Sequence, residues 1–141
     1  MEPLSLADLP GQALLLMDSA PIIYFLEGHP ALAARFKPVF DAHAVGRVRF
    51  AVTTVAVAEV LTGPLRAGDE VLARRYRAIL ESWQCVDLDV GIAESAARLR
   101  ASLRLNLPDA IQAASALAIN AAALVTHDRD FSKVKSLHVM S

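Results

Sequence analysis

The stretch Ala13-Leu14-Leu15-Leu16-Met17-Asp18-Ser19-Ala20-Pro21 constrains this chain more than any other. Five apolar residues stop at a carboxylate and a hydroxyl, and the proline that follows suits the first turn of a helix. A run so short and so apolar reads as a strand buried on both faces. Such strands belong to parallel sheets covered by helices on either side. In open sheets of that kind the chemistry sits just past the carboxyl ends of the strands, which is where Asp18 stands. A chain organised around Asp18 should bring other acids to the same edge, and Glu59, Asp109 and Asp128 are spaced to do so.

The rest of the sequence alternates strands with helices, the pattern of a mostly parallel α/β sheet of four to five strands. A helix over about 20–27 closes at Gly28. A second opens at His29-Pro30 and runs to Gly46, with Pro38 expected to kink or divide it. After a strand at 48–52, Thr53-Thr54 caps a helix over 55–61 that Gly63-Pro64 should end. The helix expected at 70–82 starts from Gly68-Asp69 and carries Val71, Leu72, Tyr76, Ile79 and Leu80 as its buried stripe. A strand at 83–88 leads to Asp89, the cap of a helix over 90–104 with Ile92, Ala96, Leu99 and Leu103 inward. Asn106 to Asp109 runs into an alanine-rich helix at 108–122, followed by a strand at 124–126, a polar turn at 127–131 and an edge strand at 137–140. No repeat or linker interrupts the pattern, so residues 13–141 form one domain, and residues 1–12, with two prolines and a glycine, read as a flexible N-terminal leader.

Composition narrows the function classes. With 55% hydrophobic residues, the chain can build its core without disulfides, and its one cysteine, Cys85, excludes an intrachain bridge and fits a reducing compartment. Cys85 itself reads as a small buried hydrophobe. There is no secretory signal, and no apolar run approaches the ~20 residues that span a bilayer, so a cytoplasmic protein with no membrane association is expected. The net charge of −1 does not advertise a nucleic-acid binder, although most of the cations are arginine, the better bidentate partner for phosphate. Glycine-rich phosphate loops, a Gly-x-Ser-x-Gly elbow and HExxH are all missing, and His29, His43, His127 and His138 lack zinc-site spacing.

Each acid alone has an ordinary explanation. Asp18 can cap a helix, Asp109 can meet free N–H groups at a helix start, and Asp128 and Asp130 can form a turn. Glu59 is harder to place, because Val55, Val57, Ala58, Val60 and Leu61 surround it and a buried carboxylate needs a partner such as an arginine. Taken together the ordinary readings weaken. Several carboxylates at one edge repel one another, and a hard divalent ion, Mg²⁺ or Mn²⁺, removes the conflict while leaving waters for a phosphate substrate. His127, beside Asp128, reads first as a solvated turn residue and second as a contact to such a substrate.

Four segments, in order, resemble the motifs of PIN-domain ribonucleases: Met17 to Leu26, Val57-Ala58-Glu59-Val60, Leu107-Pro108-Asp109-Ala110-Ile111-Gln112-Ala113-Ala114, and Thr126-His127-Asp128-Arg129-Asp130-Phe131. The length is similar to that of the VapC-type toxins of toxin–antitoxin pairs. The resemblance implies a compact α/β/α sandwich and an Mg²⁺- or Mn²⁺-dependent endoribonuclease that hydrolyses RNA and leaves a 5′-phosphate. It assigns Asp18, Glu59, Asp109 and Asp128 as catalytic acids and metal ligands, Ser19 and Thr126 as polar supports, and Asp130 as an extra ligand. It also implies a homodimer and a VapB-like antitoxin whose C-terminal segment reaches the acids. Two departures stand out: residues 1–12 extend past the usual start, and His127 stands where many relatives have Asn. A housekeeping PIN RNA-processing nuclease and a non-catalytic acidic interaction module are the competing readings. A nuclease of this net charge needs a local basic rim, for which Arg66, Arg74, Arg75, Arg77, Arg98, Arg100 and Arg104 are the candidates.

Overall fold

The structure, a computed structural model, describes residues 3–141; of the expected leader, residues 1–2 lie outside the described residues. Five strands form one sheet, β1 (Ala13–Met17), β2 (Val48–Thr53), β3 (Gln84–Val86), β4 (Ala123–Val125) and β5 (Val139–Met140), in the order β3-β2-β1-β4-β5. Every pairing is parallel, with Leu15 level with Phe50 on one side and Ala123 on the other. Strand periodicity sorts the core into two layers. Leu15, Met17, Phe50, Val52, Ala123 and Val125 point to one face, and Leu16, Ala51 and Leu124 to the other.

On the first face lie α1 (Ser19–Glu27), α2 (Leu32–Ala44), α3 (Thr54–Arg66) and α4 (Glu70–Glu81), contributing Ile22, Phe36, Val39, Phe40, Val60, Tyr76 and Leu80. The second face is covered by α5 (Val90–Leu103) and α6 (Leu107–Ala118) through Ile92, Ala96 and the small residues Ala110, Ala113 and Ala114. Alanine there lets α6 lie close against the sheet. A short 3-10 helix, Arg129–Lys133, anchors through the fully buried Phe131. The result is an α/β/α sandwich with a parallel five-stranded sheet.

The capping chemistry follows the sequence. Asp18, Thr53, Asp69, Asp89 and Asn106 each accept a backbone N–H at the start of their helix, and Gly28 ends α1 in the left-handed conformation at φ 65°. Other expectations need correction. The helix after His29-Pro30 begins only at Leu32, whose N–H is held by the His29 ring, and it continues undivided past Pro38. Likewise α3 does not stop at Gly63-Pro64. Pro64 is buried, the helix runs to Arg66, and the left-handed turn falls at Gly68, φ 74°. In α4 the buried stripe is Ala73, Tyr76 and Leu80, whereas Val71 and Ile79 are exposed. The reason is position: α4 packs on α3, so a narrow seam suffices to cover it. At the other end, α6 stops at Ala118, because Ala122 N–H must already bond Leu14 O to start β4. Cys85 is exposed, since β3 is a three-residue edge strand. Residues 3–12 form no regular element; Leu9 is buried in the first core layer and Leu4 N–H bonds Arg35 O at 2.9 Å.

The α4 seam yields a test. Leu80→Ala, at a fully buried site, should cost about 3 kcal/mol in denaturant unfolding, and Val71→Ala on the same helix less than about 0.5 kcal/mol. Equal costs would reject this orientation of α4.

Candidate metal centre

Parallel pairing places the carboxyl ends of β2, β1 and β4 side by side, and each ends in a polar residue: Thr53, Asp18 and Thr126. Helix α6 crosses this edge with Asp109 in its first turn and Gln112 one turn on, the spacing that puts both on one helix face. These elements converge on Asp18. Its Oδ1 accepts the Ser19 backbone N–H at 2.9 Å and the Gln112 side-chain amide at 3.0 Å, and its Oδ2 accepts the Thr126 hydroxyl at 2.7 Å. Thr126, fully buried, accepts the Asp128 N–H in turn at 3.0 Å. Asp18 therefore both caps α1 and ties neighbouring elements at the sheet edge.

Asp109, Asp128 and Asp130 each offer an oxygen, and these oxygens lie within 4.8 Å of one another. Asp128 also caps the 3-10 helix by accepting the Asp130 N–H, which holds the loop that carries both acids. Asn106 fixes Asp109 from two directions: its amide donates to Oδ2 at 3.1 Å and its carbonyl oxygen accepts the Asp109 N–H at 2.9 Å. Glu59 comes from the second turn of α3. It stands exposed on that helix though partly shielded from water beside Asp18, so it has no need of a buried arginine partner. The neighbouring Ser19 side chain favours its charged form. His127 lies at the rim, its Nδ1 3.1 Å from the Tyr24 hydroxyl and its ring edge-on to Phe36.

Crowding of like charge shows in the acid strengths. Asp109 is pushed up to about 7, first by burial, then by a hydrogen bond with Asp128 and the charges of Asp128 and Asp18, with the Asn106 amide opposing. Glu59 is also raised, by desolvation and then by the Asp18 charge, against the pull of Ser19. The ion pairs of the described residues, Lys37–Asp41, Arg77–Glu81 and Arg98–Glu94, are exposed i,i+4 pairs that leave these acids without a cation. Burial and the neighbouring carboxylates thus disfavour the charge on Asp109, a conflict that a cation held by these oxygens would relieve. The donors are all oxygen, the set that hard divalent ions take.

Three residues of this site were not singled out from the sequence. Asn106 and Tyr24 had no distinguishing pattern. Gln112 did have one, as the polar residue one turn after Asp109 in a segment otherwise made of alanine, isoleucine and serine.

The family profile of the PIN domain matches residues 15–137. Among curated proteins none matches the sequence. Among solved structures, the chain is similar to a toxin–antitoxin complex from Klebsiella pneumoniae, with 24% identity over 90% of this chain and 96% of that one and a TM-score of 0.71. VapBC2 from Rickettsia felis, bound to a DNA fragment of its promoter, is 18% identical over 91% and 99% of the two chains, TM-score 0.70. VapC20 from Mycobacterium tuberculosis, a sarcin-ricin loop cleaving toxin, is 16% identical over 85% and 94%, TM-score 0.68. At these identities the likeness is one of fold.

The shift at Asp109 has a consequence for stability. A carboxyl raised from 3.8 to about 7 holds its proton longer in the folded state, so its contribution is complete below about pH 4 and is lost as pH rises through 7. Glu59 acts in the same direction. In EDTA the melting temperature should fall by about 2–4 °C from pH 5 to pH 8, the size of roughly 1 kcal/mol once solvent screening is allowed for. Asp109→Asn should flatten that slope; an equally steep profile in the variant would refute the assignment.

Proposed function

Since the chain belongs to the PIN domain family, we propose that it is a divalent-metal-dependent endoribonuclease, the toxin of a type II toxin–antitoxin pair. One observation carries the reading. Oxygens of Asp109, Asp128 and Asp130 lie within 4.8 Å of one another, Asp18 and Glu59 bear on the same sheet edge, and burial followed by the neighbouring acids pushes Asp109 up to about 7. Gathering them costs stability in the free protein, and a bound cation offsets that cost.

Asp18, Glu59, Asp109 and Asp128 would hold Mg²⁺ or Mn²⁺, with Asp130 as an added oxygen donor. When bound, such an ion supplies Lewis-acid activation of water and neutralises charge at a phosphodiester. The protein's own groups do the positioning. The Thr126 hydroxyl and the Ser19 N–H hold and aim Asp18, and Asn106 holds Asp109. His127, steadied by Tyr24, stands at the rim where an RNA strand would pass. The basic rim centres on Arg100 and Arg104. Both are exposed at the end of α5, and Arg104 is five residues before Asp109, whereas Arg77 and Arg98 already face Glu81 and Glu94. The toxin reading draws on the similar fold of the VapBC proteins. It brings with it a VapB-like antitoxin, a homodimer, a cytoplasmic location and a single domain over 13–141 preceded by a leader at 1–12.

Purified protein should cut a mixed small-RNA pool in Mg²⁺ or Mn²⁺ and not in EDTA, and Asp18→Asn or Asp109→Asn should slow cutting by about 100-fold or more. No cutting in any metal by the folded protein would favour a non-catalytic interaction module. Arg100→Ala with Arg104→Ala should weaken RNA binding and lower its salt slope by about 2. An unchanged slope would remove these arginines from the rim.

A further inference from the structure

Gln112 is 1% exposed, on a helix that otherwise buries alanine, isoleucine and serine. A primary amide is costly to bury unless bonded, and a methionine or leucine of similar volume would fill the space without that demand. This amide is bonded at both ends. Its oxygen accepts the Thr53 hydroxyl, and its nitrogen donates to Asp18 Oδ1 at 3.0 Å. Thr53 is itself buried and oriented, because its oxygen accepts the Ala56 N–H at 3.0 Å as the cap of α3. The Thr53 hydroxyl donates to the Gln112 oxygen while its own oxygen accepts the cap N–H. The Asp18 carboxylate can only accept, so the amide turns its nitrogen to Oδ1 and its oxygen to Thr53, whose hydroxyl holds it there.

The consequence appears in the lone pairs of Asp18. An ionised carboxylate has about four acceptor sites, two per oxygen. Oδ1 receives two donors, Ser19 N–H and Gln112, and is filled; Oδ2 receives Thr126 alone and keeps one site open. We propose that Gln112 and Thr53 are a positioning pair that closes Oδ1 and locks the carboxylate, so that Asp18 presents a single oxygen, Oδ2, to a divalent cation. This rests on reading the acidic cluster as a cation site. Loss of the pair frees Oδ1 and lets the carboxylate turn, and outer-shell partners of this kind typically alter metal affinity by about 10–100-fold.

The test is Mn²⁺ titration calorimetry on EDTA-stripped protein, with melting temperature as the check on folding. The proteins compared are the wild type, Gln112→Met, Thr53→Val, Thr53→Ser, the Gln112→Met/Thr53→Val double variant and Asp109→Asn. Gln112→Met should weaken Mn²⁺ binding by about 10–100-fold, and Thr53→Val should weaken it in the same direction. The double variant should bind no worse than Gln112→Met, because Thr53 acts on Asp18 only through the amide. A general loosening of the fold would instead add the two losses. Thr53→Ser, which keeps the hydroxyl, should bind like the wild type, and the Ser and Val pair decides the matter if Gln112→Met does not fold. Binding by Gln112→Met within threefold of the wild type, additive losses, or equal effects of Ser and Val at 53 would each overturn the proposal. Absent Mn²⁺ binding by the wild type, or binding indifferent to Asp109→Asn, would overturn the cation-site reading as well.

Discussion

The Asp18 carboxylate is the tie on which the rest of the structure depends. Through its accepted hydrogen bonds it joins the end of β1 to the start of α1, to α6 by way of Gln112 and to the end of β4 by way of Thr126; Gln112 then joins α6 to the end of β2. Three neighbouring strand ends and two helices from opposite layers meet at one carboxylate. Hydrogen bonds to a carboxylate are strong ones, and here they fix one carboxylate at a place where further carboxylates gather. The edge is thus firmly ordered in its hydrogen bonding and unfavourable in its net charge.

That combination follows from the sheet. A parallel sheet with both faces covered puts all its carboxyl ends on one side, so every polar residue that terminates a strand arrives at the same edge. The strand cores make the edge rigid: Leu15, Leu16 and Met17 are fully buried, and the alternation of Leu16 against Leu15 and Met17 feeds two separate core layers. Alanine-rich α6 can then lie flat on the second layer, close enough for Gln112 to reach Asp18 and for Asp109 to enter the cluster. Small side chains in α6 are therefore as much a part of the site as the acids.

The strand and helix order was readable because buried parallel strands are short and wholly apolar, and because Asp18, Thr53, Asp69 and Asp89 stand directly before their helices as cap residues. Local punctuation misled where tertiary packing competed with it. Gly63-Pro64 looks like a stop, but burial of Pro64 carries α3 onward to Arg66. Periodicity in α4 counts five apolar positions, but a helix resting on another helix covers only the narrow seam of Ala73, Tyr76 and Leu80. Glu59 was the converse case. Its apolar neighbours implied burial, and the helix instead turns it outward beside Ser19 and Asp18.

By itself the sequence determined the class of sheet and the edge to which the strand-terminal polar residues come, because strand length, apolar run and cap residue are local properties that each segment carries with it. Only the tertiary structure decided how the acids are held. Gln112 lies ninety-four positions from Asp18 and Thr126 lies one hundred and eight away, so no local pattern records that they share its oxygens. Those bonds exist because parallel pairing makes β2, β1 and β4 neighbours in space and α6 crosses their ends, a proximity that a chain acquires only on folding.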